Sequence, residues 1–111
     1  MEIKRDGMGK MKQPHISEKE ITHSIRSLLK QFGIFHFKHF GGPMSQRGIS
    51  DLLGCYQGRF LALEVKRPGN KPSDDQIRFI ENVKASGGIA GVVYSIDDVV
   101  ELLGLNKRML F

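Results

Sequence analysis

Asp51 and the run Glu64-Val65-Lys66 face each other across twelve intervening residues in "GISDLLGCYQGRFLALEVKRPG", Gly48 to Gly69. A strand turns alternate side chains to opposite faces, so Leu61, Leu63 and Val65 share one face while Phe60, Ala62, Glu64 and Lys66 share the other. An acid and a base therefore end an apolar strand side by side, where burying ionised groups costs several kcal/mol unless they are paired or bound to a cation. If the chain folds back at Gln57-Gly58, Asp51 joins them. Two carboxylates a few ångströms apart repel unless a proton or cation lies between them, and a hard divalent ion with oxygen ligands suits a site open to phosphate. Mg²⁺ would keep several waters there. One of them can attack phosphorus, with Lys66 orienting it or offsetting charge on the phosphorus oxygens.

The elements that must position these groups can be read on either side. Ser17-x-x-Glu20 has capping-box spacing, and Ile21, Ile25, Leu28, Leu29 and Phe32 form a helical stripe that Gly33 ends. "IFHFKHF" (34–40) alternates as a strand does, and "GGPMSQRG" (41–48) is a loop of turn formers. Two strands over about 50–56 and 59–66 make a hairpin whose turn type the residues leave open. After "RPGNKP", Ser73-x-x-Gln76 starts a second helix with Ile77, Ile80 and Val83 inward, closed by Gly87-Gly88. The apolar run "IAGVVYS" (89–95) reads as a central strand, and Ser95-x-x-Asp98 opens a last helix ending near Gly104. The expected order is α-β-β-β-α-β-α, an α/β fold with a mixed sheet flanked by helices, the last strand lying beside the hairpin by a crossover through the second helix.

The 111 residues suffice for one core, expected over residues 17–111, preceded by a flexible basic arm over residues 1–16. A formal charge of +5 favours polyanionic partners. The lone Cys55 reads as a small buried hydrophobe that can form no internal disulfide. With a charged start in place of an apolar leader, and no apolar run long enough to cross a bilayer, the expectation is a cytoplasmic protein with no membrane partner. His36, Lys38 and His39 fit a half-exposed strand, since no Cys or His stands at a zinc-site spacing.

The pattern Asp51, Glu64-x-Lys66 resembles the PD-(D/E)XK nuclease superfamily, and "RGISDLLG...FLALEVKRPGNKPSDDQ" resembles its virus-type replication-repair nuclease (VRR-NUC) domain, in the stand-alone form of phages and prophages. The superfamily's proline is replaced by Ser50, a change at a turn rather than at a ligand. The resemblance implies a restriction-endonuclease-like core and a Mg²⁺- or Mn²⁺-dependent DNA endonuclease, with the ion held by Asp51, Glu64 and the Val65 carbonyl. It also implies an acid from the first helix. Glu18 lies in register with Ile21, Ile25 and Leu29, whereas Glu20 aligns with Ser24, Ser27 and Gln31 and has a capping role, so Glu18 is the expected site acid. Gln76 belongs to the active site by resemblance, while the residues alone leave it open between a helix cap and a site contact. Arg47, Arg67 and Lys71 are expected phosphate contacts.

The expected partner is branched DNA, a four-way junction cut by a homodimer in a bacterial or phage-infected cytoplasm. Met109, Leu110, Phe111 and the Phe-rich 34–40 segment are candidate interface surface. The alternatives are a flap-directed or nicking nuclease, a DNA-binding module on the same fold that has lost catalysis, and a dimerising scaffold.

Overall fold

The computed structural model describes residues 16–106. The arm expected over 1–16 lies outside them apart from Ile16, as do Met109, Leu110 and Phe111. The elements follow the expected order: α1 (Glu18–Gln31), β1 (His36–Lys38), β2 (Leu52–Tyr56), β3 (Arg59–Val65), α2 (Asp74–Ala85), β4 (Ile89–Val93) and α3 (Ile96–Leu103). The Phe-rich segment contributes only three residues to β1.

The four strands form one mixed sheet in the order β1-β2-β3-β4. β1, β2 and β3 are antiparallel, and β3 and β4 are parallel, joined through α2. The turn between β2 and β3 has positive φ at both central residues, Gln57 (51°) and Gly58 (77°), as a type I′ turn requires. That turn closes the pair Tyr56–Arg59 and fixes the register, so Leu52 opposes Leu63. One step further along, Asp51 comes opposite Glu64. The His39 N–H donates to the Asp51 carbonyl at 2.8 Å, prolonging the β1–β2 ladder to the same point.

The two faces of the sheet are covered unequally. On one, Leu52, Leu61, Leu63 and Val65 pack with Ile21, Ile25, Leu28 and Leu29 of α1 and with Val99, Val100 and Leu103 of α3. On the other, Ala62 and Ala90 meet Ile80 and Val83 of α2. That helix packs chiefly on β3 and β4, with Leu53 the β2 residue against it, so the rest of the β1–β2 end of the same face stays open. Phe35, Phe37 and Phe60 are exposed there, and so is Cys55, which was expected to be buried. Cys55 pairs with Phe60 on β3, and its N–H bonds the Phe35 carbonyl, placing it beyond the reach of α2. Ile77 is another correction: it is 43% exposed, because the sheet-facing stripe of α2 runs Gln76, Ile80, Val83 and Ile77 lies one position round the helix.

Gly48 sets the approach of the β1–β2 loop to α2. Its φ is +82°, and a Cβ there would run into the Asp75 carbonyl, so only glycine lets the two backbones meet. The loop is thereby held against the first turn of α2, three residues before Asp51.

Candidate active site

Asp51 is half-buried just before β2, and its Oδ2 accepts the Val65 N–H at 2.9 Å. That bond occupies a main-chain donor at the end of β3 and holds the carboxylate against the strand that carries Glu64.

Glu64 is only 2% exposed. Its Oε2 accepts from Gln76 Nε2 at 3.1 Å and lies 3.8 Å from Lys66 Nζ, whereas its Oε1 is buried without a hydrogen-bond partner. The Glu64 pKa is pushed up to about 8. Burial is the main cause, since it penalises the charged form. The neighbouring Asp51 carboxylate adds to it by repelling the charged form and favouring the protonated one, Lys66 pulls the other way, and Glu18 adds a smaller push. A buried carboxylate with one unsatisfied oxygen, next to a second carboxylate, is an arrangement that a cation relieves.

Glu18, the first helical residue after Ser17, is half-buried, and its Oε2 accepts from Asn70 Nδ2 at 3.3 Å. Glu20 is exposed. The Ser17 hydroxyl accepts the Glu20 N–H at 3.1 Å and lies 3.2 Å from Glu20 Oε1. The expected capping box is therefore half-made, because the Glu20 carboxylate bonds the Ser17 hydroxyl in place of its N–H. At α2 the box is complete: the Ser73 hydroxyl accepts from the Gln76 N–H at 3.2 Å and Gln76 Oε1 accepts from the Ser73 N–H at 2.8 Å. Gln76 is thus both a cap and a contact of Glu64.

Of the expected phosphate contacts, Arg47 is exposed and lines a polar cleft of about 560 Å³ with His39, Gln46, Gly48 and Asp51. Lys71 is exposed and Arg67 half-buried on the β3–α2 loop. Asn70 is a site neighbour that the sequence reading missed. It lies in the run "RPGNKP", where its N–H bonds the Arg67 carbonyl at 3.1 Å, its side chain reaches Glu18 and its carbonyl lies 3.4 Å from Tyr94 Oη. Contacts so distant in sequence leave no local signal.

Among the described residues no group of three or more His, Cys, Asp or Glu side chains is arranged as a metal cage. The donors at hand are two carboxylates, Asp51 and Glu64, with the main chain of Val65 between Glu64 and Lys66. Oxygen donors in that number suit Mg²⁺ or Mn²⁺, which retain waters in the remaining positions, and the unpartnered Glu64 Oε1 is a ready ligand atom.

A mixed sheet flanked by helices, with two acids and a lysine at the ends of its central hairpin, is the architecture of a restriction-endonuclease-like nuclease fold. The VRR-NUC domain model matches residues 7–97, and the chain belongs to that nuclease family. A solved structure described as a VRR_NUC domain superposes with a TM-score of 0.64 at 26% identity, covering 79% of this chain and 95% of that one. A second, a VRR_NUC domain protein, gives 0.68 at 18% identity over 86% and 92%, a likeness of fold. The Holliday junction resolvase RecU of Bacillus subtilis (strain 168) is 36% identical over an alignment of 73 residues that covers 60% of this chain and 35% of that protein. The chain thus spans about a third of the length of this curated relative.

Proposed function

We propose that this chain is a structure-selective DNA endonuclease that uses Mg²⁺ or Mn²⁺ to hydrolyse phosphodiester bonds, acting as a homodimer on four-way junctions. The observation that carries this reading is Glu64: nearly inaccessible, with Oε1 unpartnered, beside Asp51 and within 3.8 Å of Lys66. Asp51, Glu64 and the Val65 carbonyl would hold the ion. When bound, it supplies a water of lowered pKa and offsets charge on the phosphate. Water oxygen adds to phosphorus, one P–O ester bond breaks, and the departing alkoxide takes up a proton. Lys66 orients the attacking water and stabilises charge on the phosphorus oxygens. Glu18 accepts hydrogen bonds at the rim from the α1 side, and Gln76 holds Glu64 from the α2 side. Arg47, Arg67 and Lys71 contact phosphates flanking the cut.

The junction and the dimer draw support from different places. The relative named above is a junction resolvase, and a two-fold junction needs paired cuts that two dyad-related sites provide. The open β1–β2 end of the sheet, with Phe35, Phe37, Cys55 and Phe60, is apolar surface that a second copy can cover. Incubation with duplex, flap, nicked and four-way-junction DNA in Mg²⁺, Mn²⁺ or EDTA, alongside sedimentation equilibrium, tests all of it. Metal-dependent paired cuts in junctions by a dimer are expected. A monomer that cuts flaps alone would make it a flap nuclease, and binding without cleavage a DNA-binding module.

A further inference from the structure

A glutamine amide has one end that only accepts hydrogen bonds and one that only donates them. Gln76 uses both: Oε1 accepts the Ser73 backbone N–H at 2.8 Å and Nε2 donates to Glu64 Oε2 at 3.1 Å. Turned end for end, the amide would set donor against donor at Ser73 and, with Glu64 ionised as a metal ligand must be, acceptor against acceptor at Glu64. We infer that the backbone N–H of Ser73 is a positioning group for the active site, fixing the donor end of Gln76 on Glu64 Oε2 so that Oε1 is the oxygen left to the reaction. This rests on the reading of Asp51 and Glu64 as the reacting centre. Ser73 reaches nothing reactive itself and acts through Gln76.

The two halves of the capping box therefore do different jobs. The Ser73 hydroxyl, which accepts the Gln76 N–H at 3.2 Å, holds the first turn of α2, and the Ser73 N–H orients an amide that enters the site. They can be separated chemically. Ser73→Ala removes the hydroxyl and keeps the N–H. Ser73→Pro removes both, and the Ser73 φ of −73° lies within the range of proline, so the backbone angle survives. Ser95, whose hydroxyl accepts the Asp98 N–H at 3.2 Å, caps α3 in the same way without joining the site, so Ser95→Ala reports the cost of a lost cap alone.

The decisive experiment is a double-mutant cycle on single-turnover cleavage of junction DNA. Ser73→Pro is expected to cut about tenfold more slowly than Ser73→Ala with KM unchanged, because a hydrogen bond to a charged group is lost at the reacting centre. In a Gln76→Ala background the two are expected to be equal, because the N–H then has no amide to orient. Ser95→Ala should lower the melting temperature while cutting like the parent. A second readout needs no catalysis: the Gln76 side-chain NH₂ resonance should move on Glu64→Gln in the Ser73→Ala protein and stay put in Ser73→Pro. An equal loss from Ser73→Pro in both backgrounds, or an NH₂ response that survives it, would overturn the inference. If the parent cuts no DNA, the nuclease reading fails and the resonance alone decides how the amide is held.

Discussion

The first turns of α1 and α2 both reach the site, and both open on a serine followed three residues later by a residue with a capping side chain, yet they deliver different positions to it. At α1 the third helical residue, Glu20, stays in solvent with the Ser17 hydroxyl, and the first, Glu18, is half-buried and accepts from Asn70 at the rim. At α2 the first residue, Asp74, is exposed and the third, Gln76, turns inward to Glu64. The same local motif thus fixes where a helix begins but not which of its residues faces the sheet. The difference is one of rotation, set by the apolar stripe: Ile21 and Ile25 bring Glu18 round, and Ile80 and Val83 bring Gln76. An amide then meets a strand carboxylate from one face of the sheet, and an acid approaches it from the other, close enough for its charge to be felt at Glu64.

The most severe way to break this comparison is to remove what both helices serve. Asp51→Asn, Glu64→Gln and Lys66→Ala are each expected to lower cleavage by about a thousandfold, a loss typical of disrupting a metal or charge-stabilising site. Circular dichroism should show all three folded. Parent-like cleavage by Lys66→Ala would move the reacting centre elsewhere and leave the two helix starts with no common target.

Next in size is the pH dependence of stability without divalent ions. The Glu64 pKa of about 8 exceeds its ordinary 4.5, so the folded state binds the proton more tightly than the unfolded one. The stability contributed by the protonated acid is fully present below pH 4.5 and is lost as pH rises toward 8, a drop on the order of a few kcal/mol. Denaturant titrations in EDTA should show this decline in the parent and not in Glu64→Gln. Saturating Mg²⁺ should flatten it, since the ion favours the ionised form.

The helix starts themselves give smaller effects. Gln76→Ala is expected to slow cleavage about tenfold and to cost about 1 kcal/mol of stability, because a site contact and half a cap go together. Glu18→Gln should weaken Mn²⁺ binding or cleavage by a few-fold, read by titration calorimetry and by rate. Glu20→Ala should leave both unchanged and cost only about 0.5 kcal/mol in a thermal melt, the value of one exposed cap contact. Reversed results for Glu18 and Glu20 would mean that α1 sits rotated against the sheet.

The element order and the hairpin were legible because periodicity and turn residues are local signals. Ser17, Ser73 and Ser95 announced three helix starts, and Gln57-Gly58 announced the fold-back that sets Asp51 across from Glu64. What failed depended on coverage. Cys55 and Ile77 look like core in a pattern, and they are exposed because α2 packs chiefly on β3 and β4 and faces them with Gln76, Ile80 and Val83. The choice between two roles for Gln76 was also beyond the pattern, since a side chain that satisfies both a cap and a strand carboxylate is decided by how far the helix start lies from the sheet. Asn70 joins Glu18 across fifty-two positions of chain, a contact that no local pattern records.

The type I′ turn at Gln57-Gly58 also bears on the order in which the molecule assembles. Hairpins close in about 1–10 µs, and contacts between distant segments wait on longer loop closures. Asp51 and Glu64 belong to the hairpin, so their encounter comes with an early, local event, whereas α1 can bring Glu18 only after its stripe docks on a sheet already formed. Substitutions that spoil the positive φ at Gly58 should therefore slow folding, and truncations of Ile25 or Leu29 in α1 should chiefly hasten unfolding.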